Sequence, residues 1–304
     1  MRKNWPRQLA FALGGGGARG ALQVGALRAL YEASIRPDLL VGTSIGAVNA
    51  VFVAMHGFTP QALDALETAW FAAAQADLFP TNMTWLALRV FFNRIHANPY
   101  QRIKNFFISQ GVTPELRFGD LPHFRIVLVS ADLNSYQQVT FGTDPNQSVL
   151  DGLLASTALP PWVHPIELGN RFLMDGGVVS NLPIEPAIAH GASEVIALRL
   201  IDPGEIAEDD YGFGPFFWKF LSVIETRQIY LERQLAAAKQ TPVHIIALKS
   251  VPPTPAWDFS RTQSLLDDGY RQMKSLLATG KISPGQPRQH WLTRLRRWLA
   301  SKGA

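Results

Sequence analysis

Five apolar residues, Leu9 to Leu13, run directly into four glycines, Gly14 to Gly17, and a helical pattern follows at once. The apolar run reads as a short, buried strand. Leu22, Val24, Leu27, Leu30 and Tyr31 then mark the apolar side of a helix over 21–33. Strand, glycine turn and helix together open a βαβ unit. Arg2, Lys3 and Arg7 precede the apolar run and lend it the look of a signal peptide. Such a segment needs roughly 7–15 apolar residues, so the run is read instead as the first core strand.

The alternation continues. Strands are expected at 38–41, 125–130, 137–141, 171–174, 194–200 and 243–248, with Asn134-Ser135 as a hairpin turn. Helices are expected at 45–56, through much of 60–110, and at 148–157, 185–190, 215–239 and 262–279, with Pro160-Pro161 ending the third of these. This order predicts an α/β, three-layer fold: a mainly parallel central sheet with helices on both faces. With 304 residues, 47% of them hydrophobic, the chain can bury a large core.

Composition excludes some chemistry. The chain has no cysteine, so disulfides, thiolate metal sites and a cysteine nucleophile are out. No run of 18 uninterrupted apolar residues suggests a spanning helix. The net charge of +4 is concentrated at one end: Arg288, Arg294, Arg296, Arg297 and Lys302 occur with no acidic residue after position 287. Removing those five from 28 basic residues leaves 23 against 24 acidic ones. No nucleic-acid partner is expected of so neutral a body.

Three motifs carry the chemistry. Gly15-x-Gly17-x-x-Gly20 between strand and helix fits the dinucleotide fingerprint, and Asp38 lies close to where a ribose-binding acid belongs. The same residues fit a plain tight turn. They also fit an oxyanion hole, because glycines let amides at a helix N-terminus face negative charge. Arg19, a cation in the first helical turn, either recognises an anion or pairs with a nearby carboxylate. Gly42-Thr43-Ser44-Ile45-Gly46 has the strand-turn-helix context of a nucleophile elbow. An ordinary loop with Ser44 as N-cap satisfies the same residues. None of the seven histidines has a recognisable catalytic context, His164 and His190 being the least implausible. Asp175 ends a strand and is followed by Gly176-Gly177. It reads either as a turn aspartate or as a base whose pKa burial raises toward that of a useful proton acceptor.

Taken in order, these motifs resemble the patatin-like phospholipase family, whose members carry a G-G-x-R-G core, a G-x-S-x-G elbow and a D-G-A/G motif. Ala155-Ser156-Thr157-Ala158-Leu159-Pro160 and Asn181-Leu182-Pro183 are also similar to family segments, and the likeness covers roughly residues 8–200. The resemblance implies a serine acyl-ester hydrolase acting on phospholipid or lysophospholipid without metal or cofactor. It assigns Ser44 as nucleophile, Asp175 as base, and Gly15, Gly16, Gly17, Ala18, Arg19 and Gly20 as the oxyanion hole. Gly42 and Gly46 shape the elbow, and Gly176 and Gly177 the turn at the base. A Rossmann-type oxidoreductase and a non-catalytic lipid-binding regulator on the same fold are the rival readings.

The expected organisation is one catalytic domain over 8–280, then a linker and basic C-terminal helix over 281–304. Trp291, Leu292, Leu295, Trp298 and Leu299 share one face of that helix. It suits either an anionic membrane surface or docking on the body. The expected location is cytoplasmic, with peripheral attachment to the inner membrane face through this helix. Two aromatic segments, 83–92 and 213–220, are read as core in preference to an acyl-chain site or a lid.

Overall fold

The computed structural model describes residues 8–76, 99–160, 162–201 and 213–282. Strand β1 (Leu9–Leu13) is buried throughout because it has a parallel neighbour on each edge, β2 (Leu39–Thr43) and β7 (Glu194–Ile201). Beyond these, β3 (Arg125–Asp132) pairs parallel with β2, and β8 (Val243–Lys249) pairs parallel with β7. Three strands are antiparallel: β4 (Gln137–Phe141) and β6 (Arg171–Asp175) both pair with β3, and β5 (Ile166–Leu168) pairs with β6. The order is β5-β6-β3-β2-β1-β7-β8, with β4 as an additional partner of β3. The mainly parallel sheet expected from the alternation is present, and its antiparallel strands gather around β3.

Successive side chains of a strand face opposite sides of the sheet, and here both sides are covered. Phe11, Leu40, Leu128, Ile196 and Leu198 pack into one core, against α1 (Gly20–Glu32), α2 (Ile45–His56), α3 (Pro60–Gln75), α4 (Pro99–Ser109) and α5 (Val149–Ser156). Ala10, Ala12, Val41, Val129 and Ala197 face a second core. After the four-residue α6 (Gly177–Ser180), helices α7 (Ile184–Ala189) and α8 (Phe213–Ala238) supply Ile184, Ala187, Ile229 and Ala236 to that second core. The last described helix, α9 (Thr262–Ala278), lies on the first side. It crosses α1 so closely that a Cβ at Gly269 would strike the Leu22 carbonyl, and one at Gly25 the Leu266 carbonyl.

The longer elements fall where the periodicity puts them. Strand β5 and helix α6 are not read from the sequence, being three and four residues long, too short for a period to register. Segment 83–92 and the tail from 283 onward lie outside the described residues. The core reading of 213–220 fails at Phe216 and Phe220, which are 60% and 51% exposed. No described helix is long and apolar enough to cross a membrane.

Candidate active site

Strands β2 and β6 meet end to end on one edge of β3. Thr43, the last residue of β2, pairs with Val129, and Asp175, the last residue of β6, pairs with Ser130. Strand β4 takes the opposite edge from Leu128 to Asp132, so β2 and β6 share the remaining one. One runs parallel to β3 and the other antiparallel, so their C-terminal ends point at each other. Two successive residues of β3 therefore fix the positions from which Ser44 and Asp175 project. Thr43 Oγ1 donates to the Ser180 carbonyl (2.8 Å), tying the end of β2 to the short helix α6 that follows β6.

Ser44 sits at φ 56° and ψ −126°, left-handed backbone in a residue that carries a Cβ. Such a conformation costs about 1–3 kcal/mol and persists only where surroundings hold it. Here the Ser44 amide donates to Ser156 Oγ (3.0 Å), and Ser156 Oγ donates in turn to the Val129 carbonyl (2.7 Å). The Ser44 side chain caps nothing, so the N-cap reading fails and the hydroxyl is free to point into the pocket. The elbow is crowded: a Cβ at Gly42 would lie 2.5 Å from Ala47 Cα, and one at Gly46 would strike the Leu13 carbonyl.

Asp175 is buried, with 2% of its surface exposed. Burial pushes its carboxyl up to about 6, against the opposing pull of the Ser44 hydroxyl and the Gly177 N–H. The Gly177 amide donates to Oδ1 (2.8 Å), while Oδ2 is buried with no hydrogen bond of full geometry. The carboxylate thus faces the serine with a lone pair unspent. Loose contacts of this kind are common in empty sites and tighten when substrate is bound.

The glycine loop closes the third side. Gly14 donates to the Leu198 carbonyl (3.2 Å), Gly15 to that of Asn181 (3.1 Å) and Ala18 to that of Ala256 (2.6 Å). The Gly20 amide faces the Ala18 and Gly17 carbonyls. Among the described residues nothing accepts from the Gly16 and Gly17 amides. Six residues of this loop were expected to form the anion cradle; the structure leaves these two amides open, and the others it engages hold the loop. Gly17 is required twice over, by its φ of 58° and by the Ala256 carbonyl where a Cβ would sit. Gly15, Gly16, Gly17, Ser44, Asp175 and Gly177 all line one pocket.

Several other expectations resolve. Arg19 is buried and lines the same pocket, and its Nε donates to the Gly16 carbonyl (3.2 Å), which gives it a part in shaping the loop. Asp38 accepts from the Leu9 amide (2.8 Å). It lies just before β2 and beside the start of β1, the end away from the glycines, so Asp38 does not serve as a ribose-binding acid for the loop. Among the described lining residues of the Ser44 pocket there is no histidine, and His190 Nδ1 lies against the Pro186 carbonyl (2.7 Å).

The supporting polar groups escape the sequence reading. Gln23 is fully buried and donates to the Gly14 and Leu198 carbonyls (2.8 and 3.2 Å). Asn49 donates to Gln23 Oε1 and the Gly20 carbonyl and accepts from Trp70 Nε1, all within 3.1 Å. From α8, Gln228 accepts from the Asn181 amide (3.1 Å). Glu232 accepts from Ser180 Oγ (2.6 Å) and from the amides of Ile184 and Glu185 (2.9 and 2.8 Å), and burial pushes its carboxyl up to about 7. These side chains brace the backbone that presents the glycine loop and the segment after Asp175. Only Ser156 and Asn181 carried a signal, within the two segments flanking the Asp175 strand.

Comparison with known proteins identifies the family. The family model "Patatin-like phospholipase" matches residues 11–188. Patatin-like phospholipase domain-containing protein 6 of Mus musculus is 28% identical over 295 residues, covering 88% of this chain and 20% of its own length. Lysophospholipase nte1 of Aspergillus terreus is 27% identical over 299 residues, covering 89% of this chain and 18% of its own. The chain thus spans about one fifth of the length of these curated relatives. Among solved structures, VipD from Legionella pneumophila aligns with a TM-score of 0.48 at 15% identity, over 90% of this chain and 67% of that one. The matched family model takes in the glycine loop, the elbow and the β6 aspartate, and extends over more than half the sequence; the chain belongs to the patatin-like phospholipase family.

Proposed function

We propose that this protein hydrolyses fatty-acyl esters of phospholipid or lysophospholipid, with Ser44 as nucleophile and Asp175 as its base. The observation that carries the reading is the end-to-end meeting of β2 and β6 on β3, which sets a strained serine against a buried, half-satisfied carboxylate. Asp175 takes the Ser44 proton as Oγ attacks the ester carbonyl. The C–O π pair moves onto oxygen, and the Gly16 and Gly17 amides receive that negative charge. Collapse of the tetrahedral intermediate expels the alcohol, which takes the proton from Asp175, and leaves an acyl-serine. Water, deprotonated by the same carboxylate, attacks the acyl-serine, and the fatty acid leaves as Ser44 regains its proton. Support for the substrate class comes from family membership and from relatives bearing phospholipase and lysophospholipase names.

A fluorophosphonate probe followed by peptide mass spectrometry tests this directly. A single adduct on Ser44, lost in Ser44→Ala together with esterase turnover, is the expected result. No adduct and no turnover on any acyl ester would leave a lipid-binding regulator as the better description.

The basic helix proposed for 290–302 is the segment through which the protein would reach an anionic bilayer. Deleting 288–304 is expected to abolish co-sedimentation with phosphatidylglycerol vesicles while turnover of a soluble ester persists. Unchanged sedimentation would remove the helix from that role.

A further inference from the structure

An apolar cavity on the first-core side of the sheet adjoins the Ser44 pocket, and the two share Ile45, Thr157 and Phe259 as a common wall. Ile45 directly follows the nucleophile. From it the cavity runs along one face of α2, lined by Ile45, Val48, Phe52 and Met55 at spacings of three, four and three residues. The ten helical steps from Ile45 to Met55 span about 15 Å at a rise of ~1.5 Å each. Helices α3 and α4 supply the opposite walls, which are likewise apolar; Gln110 and Thr157 are the polar side chains among the described lining residues apart from the Trp70 indole. The Trp70 N–H is already given to Asn49 Oδ1 (3.0 Å), so it does not wet the cavity. Space so poor in hydrogen-bond partners holds water badly and accepts hydrocarbon well. The Ser44 pocket differs, being bordered by the open amides of Gly16 and Gly17 and by Asp175.

We propose that this cavity is the acyl-chain subsite, and that α2 acts as a ruler setting the chain length accepted. The inference rests on the hydrolase reading of Ser44. An acyl group on Ser44 Oγ would pass between Ile45 and Thr157 and lie along α2 toward Met55. Its length of about 15 Å matches an extended chain of roughly a dozen carbons, taking ~1.5 Å bonds in zigzag. Longer chains would project past Met55. Val48, one turn beyond Ile45, and Met55, at the far end, therefore report on different depths.

The test compares wild type, Val48→Phe and Met55→Phe on p-nitrophenyl butyrate, octanoate, laurate and palmitate, alongside binding of cis-parinaric acid followed by its fluorescence. Val48→Phe is expected to lower the laurate-to-butyrate ratio of kcat/KM by tenfold or more. Met55→Phe should lower the palmitate-to-octanoate ratio and leave the octanoate-to-butyrate ratio where it is. Both variants should weaken parinarate binding. A uniform loss across all chain lengths, or an unchanged profile in both variants with the wild type active, overturns the subsite while leaving the hydrolase reading intact. Parinarate binding that depends on Val48 in a protein that cleaves none of the esters overturns the hydrolase reading and leaves a hydrocarbon-binding cavity.

Discussion

Asp175→Asn is expected to lower kcat by about 10⁴-fold, the scale seen when the carboxylate of a hydrolytic constellation becomes an amide, and at the same time to raise stability at pH 8. The two effects share a cause. Asn keeps the Oδ1 acceptor for the Gly177 amide and replaces Oδ2, which makes no hydrogen bond of full geometry. It removes the proposed base, and it also removes a buried charge. The folded carboxyl is raised from 3.8 to about 6, so the native state binds the proton more tightly than the unfolded chain does. The stability associated with that proton is full below about pH 4 and is lost as the pH rises through about 6, with a ceiling of about 3 kcal/mol. Thermal unfolding should therefore show Asp175→Asn above wild type at pH 8 and level with it near pH 4. In wild type, kcat/KM should climb with pH on an apparent pKa of about 6, because only the ionised carboxylate accepts the serine proton. A variant that melts below wild type at pH 8 would make Asp175 a structural acid.

Gly46→Ala carries the next largest effect. Its Cβ would strike the Leu13 carbonyl and lie 2.8 Å from that of Gly14. Neither can retreat, because β1 is held by parallel partners on both edges and is buried on both faces. Helix α2 has to move instead, taking Ser44 away from Asp175 and from the Gly16 and Gly17 amides. A loss of about 3 kcal/mol in urea-induced unfolding is expected. Turnover by the remaining folded protein should drop by about 10²-fold, the usual penalty for misplacing a reacting group by an ångström. Wild-type stability in this variant would show that the elbow is not packed against the glycine loop.

Much of the layered fold was legible because the parallel strands are buried on both faces. Leu9–Leu13 and Glu194–Ile201 read as near-continuous apolar runs, with glycines, prolines or charges at their margins. Helices such as α2 and α9 have a period that a single chain displays. The bracing groups were silent for the opposite reason. Gln23, Asn49 and Glu232 are single polar residues within otherwise ordinary helices, and Gly25 and Gly269 are single glycines within theirs. What makes Gln23 and Glu232 matter is a partner such as Leu198 for the one or Ser180 for the other, 175 and 52 residues away, and no local pattern encodes a contact at that range.

By itself the sequence put the candidate groups on offer: a serine between glycines in a strand-turn-helix context, an aspartate at a strand end, glycines before a helix, and no cysteine to compete. Local residue preferences suffice for that, since glycine spacing and strand-to-helix turns are short-range properties. The tertiary structure alone decided that the serine and the aspartate face each other. Their meeting requires β6 to enter antiparallel on the β3 edge that β2 also occupies. Strand direction and pairing register arise from pairings well outside either motif, Thr43 with Val129, 86 residues on, and Ser130 with Asp175, 45 residues on, so no reading of either motif contains them.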